Sequence, residues 1–172
     1  MIRLATMKDI PAIAEIYEDI HTDEEAGNLT IGWQRGVYPT KTTATAAVSA
    51  GDMFVYEKRG RILAAARINK EQVDVYADAQ WEFPAPDEEV CVLHTLVVSP
   101  SGMSSGIGKE FVLFYEEYAR KHNCPFLRID TNERNLRARS FYKKFGYKEI
   151  GIVPCVFNGI KGVGLVLLEK KL

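Results

Sequence analysis

The sequence predicts an α/β fold: a mixed, mostly antiparallel central sheet with one parallel strand–helix–strand crossover and helices on both faces. Three observations predict it. Strand-like and helical periodicity alternate through the middle of the chain, over Glu89–Val98, Ile107–Asn123 and Phe126–Thr131, and that order implies a right-handed parallel crossover. A hairpin signature stands on each side of the crossover, at Arg59-Gly60 and at Asn158-Gly159. No repeat and no linker rich in Pro, Gly and Ser interrupts the 172 residues, so 1–172 reads as one domain with ample length for a core.

Taken in order, Ile2 to Ala5 reads as a strand. Thr6 is a helix N-cap, and Asp9, three residues on, completes a short capping box. Ile10, Ile13, Ala14, Tyr17 and Ile20 recur at helical spacing. From His21 to Pro39 the chain is polar and punctuated by glycine, which predicts a loop. An alanine-rich helix over Lys41 to Ala50 stops at Gly51. Asp52 to Lys58 and Arg61 to Ile68 are the arms of the first hairpin. Residues 70 to 88, with Pro84 and Pro86, predict an irregular stretch. After the strand Glu89 to Val98, residues Ile107, Phe111, Phe114, Tyr115 and Tyr118 form one apolar helical stripe, which ends near Asn123 with Pro125 beyond. Phe126 to Thr131 is a strand and Asn135 to Phe145 the last helix. Tyr147 to Phe157 and Lys161 to Glu169 form the second hairpin.

Apolar residues at 47% and charged residues at 26% are ordinary globular values, which point away from disorder and from a membrane protein. A net charge of −1 supplies no basic field for nucleic acid. No apolar run approaches bilayer length, and Met1 to Thr6 lacks the apolar stretch of a signal peptide. Cys91, Cys124 and Cys155 are odd in number and scattered, which predicts reduced thiols and a cytoplasmic protein. His21, Asp23 and Glu24 lie close together, but no partner set with metal-ligand spacing accompanies them, so no metal is expected.

The chemistry begins at residues 94 to 109. The apolar run stops at Ser99-Pro100, and a small-residue loop opens into a helix at Ile107-Gly108-Lys109. Amides at such a helix start lack intrahelical partners and point outward, which makes an anion site and predicts a phosphorylated cofactor. A nucleotide-hydrolase loop is excluded twice: its first glycine falls at Met103, and Lys109 precedes Glu110 rather than a hydroxyl. A dinucleotide fingerprint fails because its third glycine falls at Phe111. An ordinary strand-to-helix turn carries the same Gly-x-Gly, so a second motif decides.

That motif follows the strand Phe126–Thr131 and reads Asn135-Leu136-Arg137-Ala138-Arg139-Ser140-Phe141-Tyr142-Lys143-Lys144-Phe145-Gly146-Tyr147. In their order and separation the two stretches resemble the acyl-CoA-dependent N-acetyltransferase (GNAT) superfamily. The family loop reads [Arg/Gln]-x-x-Gly-x-[Gly/Ala]; Met103-x-x-Gly106-x-Gly108 fits it except at the first position. The later pattern, Asn-x-x-Ala-x-x-x-Tyr-x-x-x-Gly-[Phe/Tyr], fits from Asn135 through Ala138, Tyr142 and Gly146 to Tyr147. The close resemblance covers about residues 90 to 152 and implies a GNAT-like fold.

The resemblance implies transfer of an acetyl group from acetyl-CoA to a primary amine of a small molecule, by direct attack. It places the pyrophosphate on the N–H groups of Met103, Ser104, Ser105, Gly106, Ile107, Gly108 and Lys109, with the Lys109 side chain in support. It sets the pantetheine arm along the strand edge at Leu96 and Val98, and an oxyanion-binding N–H at a bulge near Val97 or Val98. Asn135 and Ala138 then belong to the pantetheine contact. Arg137, Arg139 and Lys143 face either the terminal phosphate or solvent.

Acetyl transfer needs a base for the ammonium, donors for the oxyanion and an acid for the thiolate. Tyr142 is the candidate acid, by its phenol and by its place in the family motif; a plain core aromatic is the alternative, since Phe141, Tyr142 and Phe145 crowd two helical turns. His94 is the candidate base, with an ordinary pKa near neutrality. Its strand resembles the histidine-bearing strand of the arylalkylamine acetyltransferases. By alternation it shares a face with Leu96 and Val98, opposite Leu93, Thr95 and Val97. A satisfied, partly buried histidine is the alternative, with Glu89 and Asp130 as reserves. For the acceptor, the resemblance implies a pocket built from the first helix, its following loop and the irregular strands opposite. Those stretches hold Asp19, Asp23, Glu24 and Glu25 with Trp33, Tyr38, Tyr76 and Trp81, which suit a cationic amine, although Asp23 to Glu25 also reads as a solvated acidic loop. A catalytically silent acyl-CoA-binding regulatory module and a protein or peptide N-acetyltransferase fit the same sequence. A homodimer fits the family; no nucleic-acid or membrane partner is expected.

Overall fold

A computed structural model describes residues 1–172. The strands are β1 (Ile2–Leu4), β2 (Met53–Lys58), β3 (Arg61–Asn69), β4 (Val90–Val98), β5 (Phe126–Asn132), β6 (Lys148–Phe157) and β7 (Ile160–Lys171). The helices are α1 (Ile10–Glu25), α2 (Lys41–Ala50), α3 (Ile107–Lys121) and α4 (Leu136–Lys144). One sheet holds all seven strands in the order β1-β2-β3-β4-β5-β7-β6. Only β4 and β5 run parallel, joined through α3; every other pair is antiparallel. The mixed, mostly antiparallel sheet with its single crossover matches the predicted class.

Local chemistry sets most element ends. The Thr6 amide and hydroxyl both donate to the Asp9 carboxylate, at 2.7 and 2.9 Å, and one turn of 3₁₀ helix leads into α1. The Thr40 hydroxyl caps α2, which ends at Gly51 in the left-handed conformation, φ 78°. The β6–β7 turn places Asn158 and Gly159 at φ 51° and 78°, the primed geometry that matches strand twist. Two helix boundaries differ from the expectation for a visible reason. The first helix continues through His21 to Glu25, because His21 turns inward, 1% exposed, and its Nε2 donates to the Pro39 carbonyl at 2.9 Å. Asn135 lies outside the last helix as its cap, accepting from the Ala138 amide at 3.1 Å.

Helices cover both faces. On one, Phe111 and Tyr115 of α3 and Tyr142 of α4 pack on Cys91, Leu93, Leu127 and Ile129. On the other, Ile13, Tyr17 and Ile20 of α1 and Ala44 and Ala47 of α2 pack on Met53, Val55, Ala65 and Val97. Further along that second face, residues 70–88 form a strap over Val90, Val92, Leu165 and Leu167. The buried Arg128 lies 3.9 Å from the Trp81 ring centroid and donates to the Phe83 carbonyl at 3.3 Å. Glu169 accepts from the Glu82 and Phe83 amides at 2.5 and 3.4 Å. Two charges buried in the sheet thus hold down a segment with little regular structure of its own.

The feature that positions the site is a break in β4. Ala65 of β3 pairs with Val97 and Arg67 pairs with His94, so Thr95 and Leu96 together oppose the single residue Ala66. Thr95 takes φ 52°, a true outlier for a β-branched residue. The extra residue inverts the alternation expected for His94. Leu93, Leu96 and Val98 now share the α3 face, and Val97 faces α1, so His94 does not share a face with Leu96 and Val98. Pairing between β4 and β5 ends at Leu93 and Ile129, and the two strands part beyond that point.

Asp9 also receives both Arg3 terminal nitrogens at 2.8 Å, and this guanidinium holds its carboxyl well below the ordinary value of 3.8. A depressed carboxyl stabilises the fold above that ordinary value and loses its contribution as the pH falls beneath it. Asp9→Ala therefore costs about 1–2 kcal/mol at pH 7 by urea unfolding, and the gap to the native chain narrows toward pH 2. A variant with an unshifted midpoint at pH 7 would show that the cap carries no stability.

Candidate active site

The loop after β4 makes one turn of 3₁₀ helix at Pro100–Gly102, then swings through Ser104 at φ 63° and Gly106 at φ 86° into α3. Gly106, free of the Cβ penalty in that conformation, aims the first amides of α3 outward. The N–H groups of Ser104, Gly106, Ile107, Gly108 and Lys109 meet no acceptor within the chain. The Met103 and Ser105 amides do not join them: they turn inward to the carbonyls of Pro100 and Gly102, both at 3.3 Å. The expected row of donors from Met103 to Lys109 is thus a cradle of five, concentrated at the positive end of the helix dipole.

Met103 leaves the cradle without a cation of its own. Arg137, on the first turn of α4, lies against it with Nη1 3.7 Å from the thioether sulfur, and no carboxylate stands within ion-pair distance of Arg137. Arg139 differs: both its Nε and Nη2 are spent on Glu149, at 2.7 and 2.8 Å.

Where β4 and β5 part, a cleft of about 110 Å³ opens. Leu93, Thr95 and Leu96 line it from β4, and Ile129 to Asn132 line it from β5. Asn135, Ala138 and Tyr142 close the α4 side; Ile31, Gly32, Trp33 and Tyr38 close the side of the α1–α2 loop; the β6–β7 hairpin adds Phe157 and Asn158. Beyond Leu93 the β4 edge that faces away from β3 has no strand partner, so the Leu96–Val98 segment presents free backbone to the cleft mouth. The bulge lies at Thr95–Leu96, just before the expected Val97–Val98.

Three ionisable groups, Tyr142, Asp130 and Tyr38, line this cleft. Tyr142 is 7% exposed; burial, reinforced by the Asp130 carboxylate, pushes its phenol well above the ordinary range, so it holds its proton at neutral pH. Asp130 is pushed up to about 6 by burial, partly offset by the Tyr76 hydroxyl, which donates to it at 2.7 Å. Tyr76 belongs to the strap, and the Trp81 indole N–H fixes its carbonyl at 3.0 Å. The Tyr38 hydroxyl bonds the Thr95 hydroxyl at the bulge, and its pKa is pushed up to about 12, mainly by burial.

His94 is not among the residues that line the cleft. Its Nε2 donates to Asn69 Oδ1 at 2.9 Å, and Asn69 in turn donates to Asp52 at 2.5 Å. Burial, with Arg67 nearby, lowers its pKa to about 4. Glu89 is exposed at the far end of β4 from the bulge. The structure thus brings Tyr142 and the reserve Asp130 to one cleft and leaves His94 and Glu89 outside it. The acidic run at the end of α1 is not simply solvated: Glu24 accepts from the Ile31 and Gly32 amides at 2.6 and 2.7 Å, and Arg35 donates to Glu25 at 2.9 Å. These bonds take up the acidic side chains beside His21, and no cluster of three His, Cys, Asp or Glu side chains able to hold a metal is present.

Comparison with known proteins agrees with this architecture. The model of the acetyltransferase (GNAT) family matches residues 11–147. An uncharacterised N-acetyltransferase of Methanocaldococcus jannaschii is 27% identical over 89 residues; the match takes in 52% of this chain and 39% of that protein, so the chain spans well under half of the relative's length. A GNAT-family acetyltransferase structure from Streptococcus agalactiae superposes with a TM-score of 0.82 at 22% identity, covering 100% of this chain and 95% of the other. A Salmonella typhimurium protein solved with its cofactor acetyl-CoA superposes with a TM-score of 0.72 at 16% identity, over 100% and 93% of the two chains. At these identities the superpositions speak for the fold, while the family match covers most of the chain. With the parted strands, the amide cradle at α3 and the tyrosine of α4 all in place, the chain belongs to the acetyltransferase (GNAT) family.

Proposed function

We propose that this protein moves an acetyl group from acetyl-CoA to a primary amine of a small molecule. One observation carries the reading: a cleft between parted strands holds a carboxylate pushed up to about 6 on one wall and a protonated phenol on another, with unpaired amides at the start of the helix that follows β4. The amides of Ser104 and Gly106 to Lys109 fit a diphosphate, and Arg137 supplies the cation that Met103 lacks. The free edge of β4 at Leu96 and Val98 fits the amide-bearing pantetheine arm, with Asn135 and Ala138 opposite. Acetyl-CoA contributes the activated acyl group.

Asp130 takes a proton from the acceptor ammonium. The freed nitrogen forms its bond to the acyl carbon while backbone N–H groups at the Thr95–Leu96 bulge stabilise the oxyanion. As the carbon–sulfur bond breaks, Tyr142 gives its proton to the leaving sulfur and regains one from the nitrogen, leaving an amide and a free thiol. His94, low in pKa and bonded to Asn69, serves to hold the bulge rather than to accept protons. We also place the protein in the cytoplasm, on its three unpaired cysteines; no helix is long and apolar enough to cross a membrane.

Thiol release on mixing with acetyl-CoA and an amine tests the reaction. Tyr142→Phe lowers kcat roughly 10²-fold or more with the Kd for CoA unchanged; full activity in that variant removes the assigned acid. The kcat/KM profile rises with pH through an inflection near 6, as Asp130 ionises, whereas a limb near 4 would instead assign the base to His94. A raised carboxyl pKa has the opposite stability sign to Asp9: the folded state keeps the Asp130 proton that the unfolded chain has lost, so stability falls as pH rises between about 4 and 6. Asp130→Asn is accordingly inactive yet melts at or above the native temperature at pH 7.5. Arg137→Ala raises the KM for acetyl-CoA roughly tenfold with kcat unchanged, and Met103→Arg in that background restores it.

A further inference from the structure

We infer that the acceptor is a small amine that carries no carboxylate or other anionic group. This rests on the acetyl-transfer reading and concerns the pocket that reading leaves for the acceptor. The walls of the cleft contain no Lys, Arg or His, and Asp130 is their only carboxylate. Two neighbouring cations are paired with carboxylates. Arg67 is held by Asp52 at 3.0 Å and Glu71 at 2.7 Å and does not line the cleft. Arg134 lies beside Gly32 with Nη2 3.8 Å from Glu24, and it is not among the lining residues. An acceptor carboxylate in this cleft would lose its water without gaining a counter-ion, and would stand against Asp130.

The rest of the wall suits the opposite charge. Trp33 and Tyr38 meet edge to face at 5.9 Å, and Phe157 faces them from the β6–β7 hairpin. Aromatic faces beside one carboxylate attract an ammonium on an apolar body. The size of the occupant follows from how the wall is fastened. The loop that carries Ile31 to Tyr38 is tied to α1 at both ends and in the middle: by His21 on Pro39, by Glu24 on Ile31 and Gly32, and by Arg35 on Glu25 and Thr22. A wall so tied fits a small free amine better than a peptide chain that must run onward.

Matched pairs decide the matter: phenethylamine against phenylalanine, tyramine against tyrosine, agmatine against arginine, and a short alanine-headed peptide. Each is titrated calorimetrically into the CoA-loaded protein and assayed for thiol release with acetyl-CoA. The expected result is that each decarboxylated member binds at least tenfold more tightly than its amino acid and exceeds it in kcat/KM. Equal or tighter binding of the amino acids, faster acetylation of the peptide than of every free amine, or no binding by any amine at millimolar concentration overturns the inference. Tight, selective amine binding without thiol release sinks the transfer reading and leaves the selectivity standing; acetylation of the amino acids at equal or higher kcat/KM does the reverse.

Discussion

Everything in this molecule depends on β4 and β5 being paired over only half of their length. Two parallel strands joined by a helix would ordinarily zip together to their ends, because each unpaired backbone group costs free energy when it leaves water. Here the ladder stops at Leu93 and Ile129. The extra residue at Thr95–Leu96 bends β4 toward β3, and β5 stays with β7. The gap that results exposes one strand edge and admits residues from both faces of the sheet. The strained Thr95 backbone is held in place by the Tyr38 hydroxyl, so the loop that walls the cleft also fixes the bend that creates it.

The electrostatics follow from that geometry. Asp130 and Tyr142 lie where the strands separate, far enough from bulk water that burial dominates both groups, raising the one toward neutrality and the other beyond it. A carboxylate that remains charged above pH 6 in such a place is a stability cost that the rest of the fold offsets through three apolar clusters on the two faces of the sheet. The strap over β5 and β7 finds its order in charge rather than in regular hydrogen bonding: Arg128 and Glu169, both in the sheet, hold it through Trp81, Phe83 and Glu82.

Features set by neighbours in the sequence were legible from it. The alanine-rich run that ends α2 at Gly51, the Asn158-Gly159 turn and the apolar stripe of α3 around Phe111 and Tyr115 are each specified within a few residues. So is the Gly106 loop, because its conformation and its unpaired amides are local properties. Features set by distant partners were not. Nothing around Thr95 asks for a left-handed backbone, and one extra residue there reverses every face assignment upstream of it, His94 included. Asp130 looks like any strand carboxylate until Tyr76, 54 positions away, meets it in the fold. Glu24 resembles a solvated acid because the amides it binds belong to a loop whose course the sequence does not show.

The strap has a consequence for how the protein fails. Segments with few backbone bonds open at lower free energy than the sheet they lie on. When residues 70–88 lift away, Tyr76 leaves with them, and the burial that raises the Asp130 carboxyl is relieved. On the proposed reading of the cleft, such an opening removes the poised carboxyl before the sheet itself melts.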